Sequence, residues 1–227
     1  MSELWNVDLH SHTLWSKDCL TAFETIITVC QQRGIHRIAI TDHNTADGAL
    51  ALQKLAPELI IPGEEIMTTQ GEILVYYVQE SVPARLTPEE TIRRLRDQGA
   101  IISVSHPFDR LRHGAWREAD LSRIVGLVDA IEVFNARCLY PEDNDRAIAF
   151  AQQHGLAGTV GSDAHTRVEY GRAVLQMPPF EGAQAFLAAL REAQVKPGLS
   201  PFYVHLGSTL AKWSKKLGLR PRQWEGG

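Results

Sequence analysis

Short apolar runs alternate with amphipathic segments along most of the chain, without an internal repeat or a low-complexity stretch. Eight of these runs have the length and the β-branched content of strands. They span residues 4–9, 37–41, 59–66, 73–78, 101–105, 130–134, 156–160 and 172–176. Strands that alternate with helices are typical of an α/β protein. This number of strands in about 200 residues favours a closed barrel of parallel strands over an open sheet.

Helices are predicted between the strands, and several have clear start or stop signals. A helix over residues 21–33 ends at Gly34, because glycine readily adopts the left-handed conformation that terminates helices. Thr87, Pro88 and Glu90 have the spacing of a capping box, so a second helix is predicted from there to Gly99. Segments 141–154 and 181–193 are each followed by glycine or proline within a few residues and are also predicted to be helical.

Composition narrows the class of protein. The chain has 227 residues, 44% hydrophobic and 22% charged, which is enough for one sizeable core, and we assign residues 1–200 to a single barrel. No apolar run is long enough to span a membrane, and residues 1–15 lack the pattern of a secretory signal, so a cytoplasmic protein is expected. Cys19, Cys30 and Cys138 have unrelated spacings, which favours reduced, structural thiols.

The C-terminal segment differs from the rest of the chain in charge. Residues 196–227 carry a net charge of +5 and residues 1–195 a net charge of −9, which argues against a barrel that binds nucleic acid through bulk charge. Within this segment Leu210, Trp213 and Leu217 share one helical face, and lysines share another. We expect residues 201–227 to form a basic amphipathic tail that packs this apolar face on the barrel. Binding of nucleic acid or of an acidic partner is the alternative.

Five of the nine histidines lie at or just after the ends of predicted strands, next to acidic or polar residues. The motifs are DLHSH (8–12), TDHN (41–44), GEEI (63–66, without a histidine), SHPF (105–108) and GSDAH (161–165). His10 and His12 are two residues apart on an extended strand and project to one side. In a barrel the carboxyl ends of the strands meet at one mouth, where imidazoles and carboxylates without thiolates suit Zn, Mn or Fe. His36, His154 and His205 lie in no motif and are expected to be ordinary surface or packing residues.

This series of motifs resembles the PHP (polymerase and histidinol phosphatase) family of metal-dependent phosphoesterases, and the resemblance covers most of the chain. It implies a distorted seven-stranded (β/α) barrel of TIM-like type. That is one strand fewer than the pattern predicts, so we expect one predicted strand to be an added or antiparallel piece. It also implies a set of metal ligands at His10, His12, Asp18, His43, Glu65, His106, Asp163 and His165.

The resemblance further implies how these ligands are shared among two or three divalent ions. One ion would be held by His10, His12, Glu65 and Asp163. Glu65 would bridge to a second ion held by His106, and the third would lie among Asp18, His43 and His165. Leu74 stands where many family members have a histidine, so the second ion is expected to be weakly held, differently ligated or absent. For Asp18, a helix-capping role is the alternative.

The implied reaction is hydrolysis of a phosphate mono- or diester of a small metabolite, nucleotide or short oligonucleotide, by a water that bridges two metal ions. Residues that fall just beyond strand ends are candidates to bind the phosphate: Arg110, Arg112, His113, Asn135 and Arg137. Two alternatives stay open. One is a metal-binding PHP module without catalysis that recognises a partner or nucleic acid. The other is an amidohydrolase-like enzyme, which the lack of a lysine at any predicted strand end disfavours. The pattern does not determine an oligomeric state.

Overall fold

A computed structural model describes residues 4–219 and shows strands and helices in alternation. The strands of this part of the chain are β1 (Trp5–Asp8), β2 (Arg37–Ile40), β3 (Ile60–Met67), β4 (Glu72–Tyr76), β5 (Ile101–Val104), β6 (Ala130–Asn135), β7 (Ala157–Gly161), β8 (Val174–Met177) and β9 (Gln194–Lys196). The helices are α1 (Phe23–Arg33), α2 (Asp47–Leu55), α3 (Pro88–Asp97), α4 (Glu118–Ile124), α5 (Pro141–His154), α6 (Gly182–Leu190) and α7 (Val204–Lys216). Each helix in residues 4–219 is too short or too polar to cross a bilayer.

The strands form one sheet in the order β7-β6-β5-β4-β3-β2-β1-β8-β9. The sheet closes because the segment after β7 returns to β1. The backbone N–H of Leu9 donates to the carbonyl of Val160 (3.1 Å), and that of Asp163 donates to the carbonyl of His10 (2.7 Å). Strands β1 to β7 therefore make a distorted seven-stranded barrel, which confirms the predicted fold.

Two strands depart from the parallel arrangement of the barrel. β8 pairs antiparallel with β1 outside the seven-stranded ring, so it is the added piece that was expected. β4 lies inside the ring but runs antiparallel to both β3 and β5. Its first residue, rather than its last, consequently lies at the mouth of the barrel.

The predicted helix signals agree with the structure where caps are present. The Thr87 hydroxyl accepts a hydrogen bond from the backbone N–H of Glu90, and Gly34 ends α1 with φ of 62°. The pattern missed α2 and α4, which are short and start at Ala46 and Arg117 without a side-chain cap. Apolar side chains fill the space between the strands and the surrounding helices, whereas polar and charged groups are buried at the barrel mouth.

Helix α7 contacts the barrel through a face different from the predicted one. Val204, Ser208 and Ala211 are buried, whereas Leu210, Trp213 and Leu217 are 68%, 61% and 72% exposed, so the prediction for that apolar face is wrong. The reason is that polar bonds orient the helix. The Arg137 guanidinium donates to the Ser208 hydroxyl (2.9 Å), and the Lys215 ammonium donates to the carbonyls of Leu14 and Ser16.

Small buried residues on α7, Ser208 and Ala211, let the helix approach the barrel closely enough for these hydrogen bonds to form.

The division into a barrel and a tail at residue 200 stays a prediction. Three charged residues of the predicted tail lie outside the described residues: Arg220, Arg222 and Glu225.

The three cysteines are buried and unpaired, so their reactivity is predictable. Burial raises the pKa of Cys19 and of Cys30 to about 12 and raises that of Cys138 as well. At pH 8 the reactive thiolate fraction of Cys19 and Cys30 is then on the order of 10³-fold below that of an exposed thiol. We expect a disulfide reagent to label the native protein at least that much more slowly than the urea-unfolded protein. Rapid labelling of any native thiol would contradict this.

Candidate metal centre

The structure brings all eight predicted metal ligands together at the barrel mouth. Six of them follow the ends of β1, β2, β5 and β7, Glu65 lies within β3 two residues before its end, and Asp18 lies in the loop between β1 and α1. Parallel bridges tie these ends together, between Ser11 and Ala164 and between His43 and Glu65. Asp163 has φ of 50°, an uncommon conformation for a residue with a side chain, and its hydrogen bond to His10 holds it there.

The first group of ligand atoms is His10 Nε2, His12 Nε2, Glu65 Oε2 and Asp163 Oδ1. The two imidazole nitrogens are 3.2 Å apart and lie 3.4 and 3.5 Å from Glu65 Oε2. Asp163 Oδ1 is 3.7 Å from His10 Nε2 and 3.2 Å from His12 Nε2. Four ligands arranged as a tetrahedron about 2.1 Å from one ion lie about 3.4 Å from each other. His10, His12 and Asp163 therefore have the spacing of a single metal site, and Glu65 Oε2 lies beside both of its imidazoles.

A second group surrounds Asp18. Its two carboxylate oxygens lie 3.5 Å from His43 Nε2 and 3.3 Å from His165 Nε2. The residue that precedes α1 is Ala22, so Asp18 does not cap that helix. Its carboxylate is instead directed at the two imidazoles, as a ligand for a shared ion would be.

A third group lies around His106, and its geometry agrees with one of the three expectations for the second ion, a different set of ligands. His106 Nε2 is 3.0 Å from Glu65 Oε1 and 3.5 Å from Glu72 Oε2. Leu74 is fully buried in the apolar core two residues further along β4. Because β4 runs antiparallel, Glu72 occupies the mouth, and its carboxylate is the available ligand beside His106. The sequence analysis considered only Leu74 at this point of the chain and therefore did not identify Glu72 as a candidate ligand.

Unpaired buried atoms show that the site fits divalent cations. Six side-chain atoms of these residues are buried without a hydrogen-bond partner, and four of the six are ligand atoms named above: Asp18 Oδ1, Glu65 Oε2, Asp163 Oδ1 and His165 Nε2. Burial of an unsatisfied polar atom is costly, so such atoms are rare in native proteins. One ion in the first group and one in the second would together satisfy all four. The donor set contains only nitrogen and oxygen, which suits Mn, Zn or Fe.

Charge at the site also favours ligation. Burial alone would raise the pKa of Asp163, but Arg112, His10 and His12 outweigh it, and the pKa lies well below its usual range. Glu65 behaves likewise, because His10 and His43 overcome the effect of burial. For His12, burial and the neighbouring imidazoles lower the pKa. Burial alone would lower the pKa of His10 and of His43, but the neighbouring carboxylates, Glu65 foremost, outweigh burial and raise both pKa values. Because metals bind ionised carboxylates and neutral imidazoles, a metal ion would displace a proton from these two histidines.

Glu132 on β6 supports the centre and was missed by the sequence analysis. Its Oε1 accepts a hydrogen bond from His10 Nδ1 (2.9 Å), which leaves His10 Nε2 free for a metal, and its Oε2 accepts from the His106 backbone N–H (2.7 Å). Gly161 lies so close to His10 that it has no room for a Cβ atom. A glutamate in the middle of the apolar run AIEVFN was the signal that could have revealed Glu132.

The structure separates the five candidate phosphate-binding residues. Arg112, Asn135 and Arg137 reach the mouth: Arg112 and Asn135 both donate to Asp163, and Arg137 contacts His165. Arg110 instead pairs with Asp143 of α5 (2.6 Å), and His113 is exposed. Neither of these two residues lines the pocket beside the metal centre.

That pocket has a volume of about 220 Å³ and opens on Asp18 and His165. One wall comes from α7, through His205, Ser208, Thr209 and Lys212. Lys212 Nζ lies 3.4 Å from Asp18 Oδ2. The sequence analysis assigned His205 to ordinary packing, but Arg137 donates to its Nδ1 (3.3 Å) at the pocket edge. His36 and His154 do have packing roles, against Trp5 and Phe150.

Known proteins share this architecture. The protein MJ0417 of Methanocaldococcus jannaschii, itself uncharacterized, is 36% identical over 173 residues, which cover 75% of this chain and 69% of that protein. PsfC of Pseudomonas syringae PB-5123 superposes with a TM-score of 0.70 at 21% identity, over 94% of this chain and 99% of PsfC.

Two further structures share the fold. A candidate metal-dependent phosphoesterase of Bifidobacterium adolescentis gives a TM-score of 0.61 at 16% identity, over 74% of this chain and 90% of that one. The lesion-specific endonuclease PfuEndoQ of Pyrococcus furiosus gives 0.57 at 16% identity, over 85% of this chain and 57% of the endonuclease.

A seven-stranded barrel with histidines and carboxylates at its mouth is the architecture of barrel proteins that bind metal at that end. The model of the PHP-associated family PHP_C matches residues 141–195. This match and the 36% identity to MJ0417 show that the chain belongs to the PHP family.

Proposed function

We propose that this protein is a metal-dependent phosphoesterase that hydrolyses a phosphate mono- or diester of a small metabolite, nucleotide or short oligonucleotide. One observation carries the proposal: three adjoining groups of buried ligands include four unpaired ligand atoms, and the second group opens through Asp18 and His165 on a pocket that contains Arg112 and Lys212. The names of two structural neighbours, a candidate phosphoesterase and an endonuclease, support the same class of reaction.

The residues have separable roles in this proposal. Divalent ions, when bound, would supply Lewis-acid chemistry, which neutralises charge on phosphoryl oxygens and activates water. Glu65 holds the first and third groups in register, because its two oxygens face different histidines. Arg112 and Lys212 provide positive charge for the substrate phosphate. Arg137 is a positioning residue, because it bonds to Ser208 of α7 and lies 3.3 Å from Glu169.

The size and charge of the pocket favour a small substrate. A volume of about 220 Å³ is below the usual range for drug-sized ligands. The barrel portion of the chain is strongly acidic, so a long nucleic acid would be repelled outside the pocket. A monoester or a terminal nucleotide satisfies both conditions.

The experiment is a substrate panel with metal analysis. Protein loaded with Mn, Zn or Fe is assayed with phosphomonoesters, phosphodiesters, short oligonucleotides, amides and lactones. We expect metal-dependent release of phosphate or nucleotide from at least one ester, lost on chelation and in His43→Ala and reduced in Arg137→Ala. Hydrolysis of an amide or lactone alone would favour an amidohydrolase. A metal-loaded protein that is inert to every class would favour a non-catalytic module.

A further inference from the structure

The outward side of α7 is a continuous apolar surface. We define the α7 apolar face as Phe202, Leu206, Leu210, Trp213 and Leu217, whose exposed fractions range from 61% to 77%. Their spacing of three and four residues places them on one stripe. The buried side of the helix, with Val204, Ser208 and Ala211, lies opposite, so the barrel of the same chain cannot cover this stripe.

The surface is larger than isolated apolar side chains explain. Tyr203 and Leu219 extend it, and the seven side chains together expose on the order of 1,000 Å². The largest apolar patch on a typical monomer is about 300–600 Å². Two such faces in contact would bury at most roughly 2,000 Å² in total, and a stable, specific interface buries about 1,200–2,000 Å².

The lysines of α7 distinguish a protein partner from a lipid surface. Helices that lie on anionic membranes direct lysines towards the headgroups. Here Lys215 bonds to carbonyls of the barrel, and Lys212 lies beside Asp18. Lys216 lies over the Trp213 ring, 5.6 Å from its centroid.

We propose that the α7 apolar face is the interface of a homodimer in which two copies of this chain pack their α7 helices against each other. The contact is isologous, because both copies contribute the same apolar surface. The opposite side of α7 forms a wall of the pocket, so dimerisation would also stabilise the position of that wall against the barrel. This inference concerns assembly and does not depend on the proposed reaction.

The test measures the mass of the full chain in solution by light scattering and by sedimentation between 1 and 100 µM. We expect the wild type to have the mass of two chains and Leu210→Glu that of one chain, because a charge at the centre of the interface would be desolvated without a partner. Leu55→Glu is the matched control, since Leu55 is an exposed leucine at the end of α2. It should remain dimeric.

Circular dichroism and thermal melting check that Leu210→Glu folds. If it does not fold, the mass of a second variant, Leu206→Lys, one helical turn away, is measured in its place. A wild-type protein that is monomeric at 100 µM overturns the proposal. So does a folded Leu210→Glu variant that stays dimeric. A monomer that sediments with phosphatidylserine vesicles through this face would show that the surface binds lipid instead.

Discussion

Asp163→Asn is expected to remove metal from the first group of ligands and to lower kcat/KM for the phosphoester substrate by at least about 10³-fold. The amide that replaces Asp163 Oδ1 is neutral, and neutral amides are poor ligands where an ionised carboxylate faces two imidazoles. The substitution keeps the shape of the side chain. A general collapse of the barrel is therefore not the expected cause of the loss.

Metal content after dialysis, measured by mass spectrometry, tests the first part of this prediction independently of any substrate. Asp143→Asn is the matched control. Asp143 is also a buried carboxylate bonded to an arginine, but its partner is Arg110, away from the centre. Asp143→Asn should retain its metal and activity. An Asp163→Asn protein with the full metal content would contradict the assignment.

Glu132→Gln is expected to weaken metal binding by about 10- to 100-fold and to lower activity at limiting metal by a similar factor. The carboxylate of Glu132 accepts from His10 Nδ1 and so fixes the ring with Nε2 directed at the site. A carboxylate partner also makes the imidazole a stronger ligand, an effect that a neutral amide supplies poorly. Competition with a chelator of known affinity gives the metal dissociation constants.

Glu64→Gln provides the control for this measurement. Glu64 is buried on β3 next to Glu65, but its carboxylate faces away and accepts from the backbone N–H of Val82 (3.0 Å). Burial raises the pKa of Glu64 to about 8, so the carboxyl group is mostly neutral at pH 7 and glutamine resembles it closely. Metal affinity should be unchanged in Glu64→Gln. Equal losses in both variants would show that Glu132 acts through stability alone.

The sequence predicted the barrel and the placement of its ligands for one physical reason. Parallel strands have equivalent ends, so a motif that follows a buried run must lie at the same mouth whichever strand carries it. His10, His43 and Asp163 are far apart in the chain yet meet for this reason. Their assignment as ligands stays a proposal.

Other features depended on information that a local pattern does not contain. The direction of β4 is set by pairing with β3 and β5, so Glu72 could not be placed from its own neighbours. The apolar stripe of α7 indicated a helix but not which side faces the barrel, which Arg137 and Lys215 decide through polar bonds. Arg110 and Arg112 are only two residues apart, but the path of the loop directs Arg110 to Asp143 of α5 and Arg112 to Asp163 at the mouth.

The reversed strand has a consequence for how such a centre can diversify. Ligands that follow parallel strands are connected to βα loops, which also shape the pocket. Glu72 instead follows a tight turn, in which the Thr68 hydroxyl donates to the carbonyl of Gly71 (2.6 Å) and Gly71 packs against Trp116. Trp116 belongs to the loop between β5 and α4, which also carries Arg112, and the backbone N–H of Glu72 donates to the carbonyl of Gly114 in that loop (3.0 Å). A change in this turn therefore shifts one carboxylate of the centre together with the loop that forms a wall of the pocket.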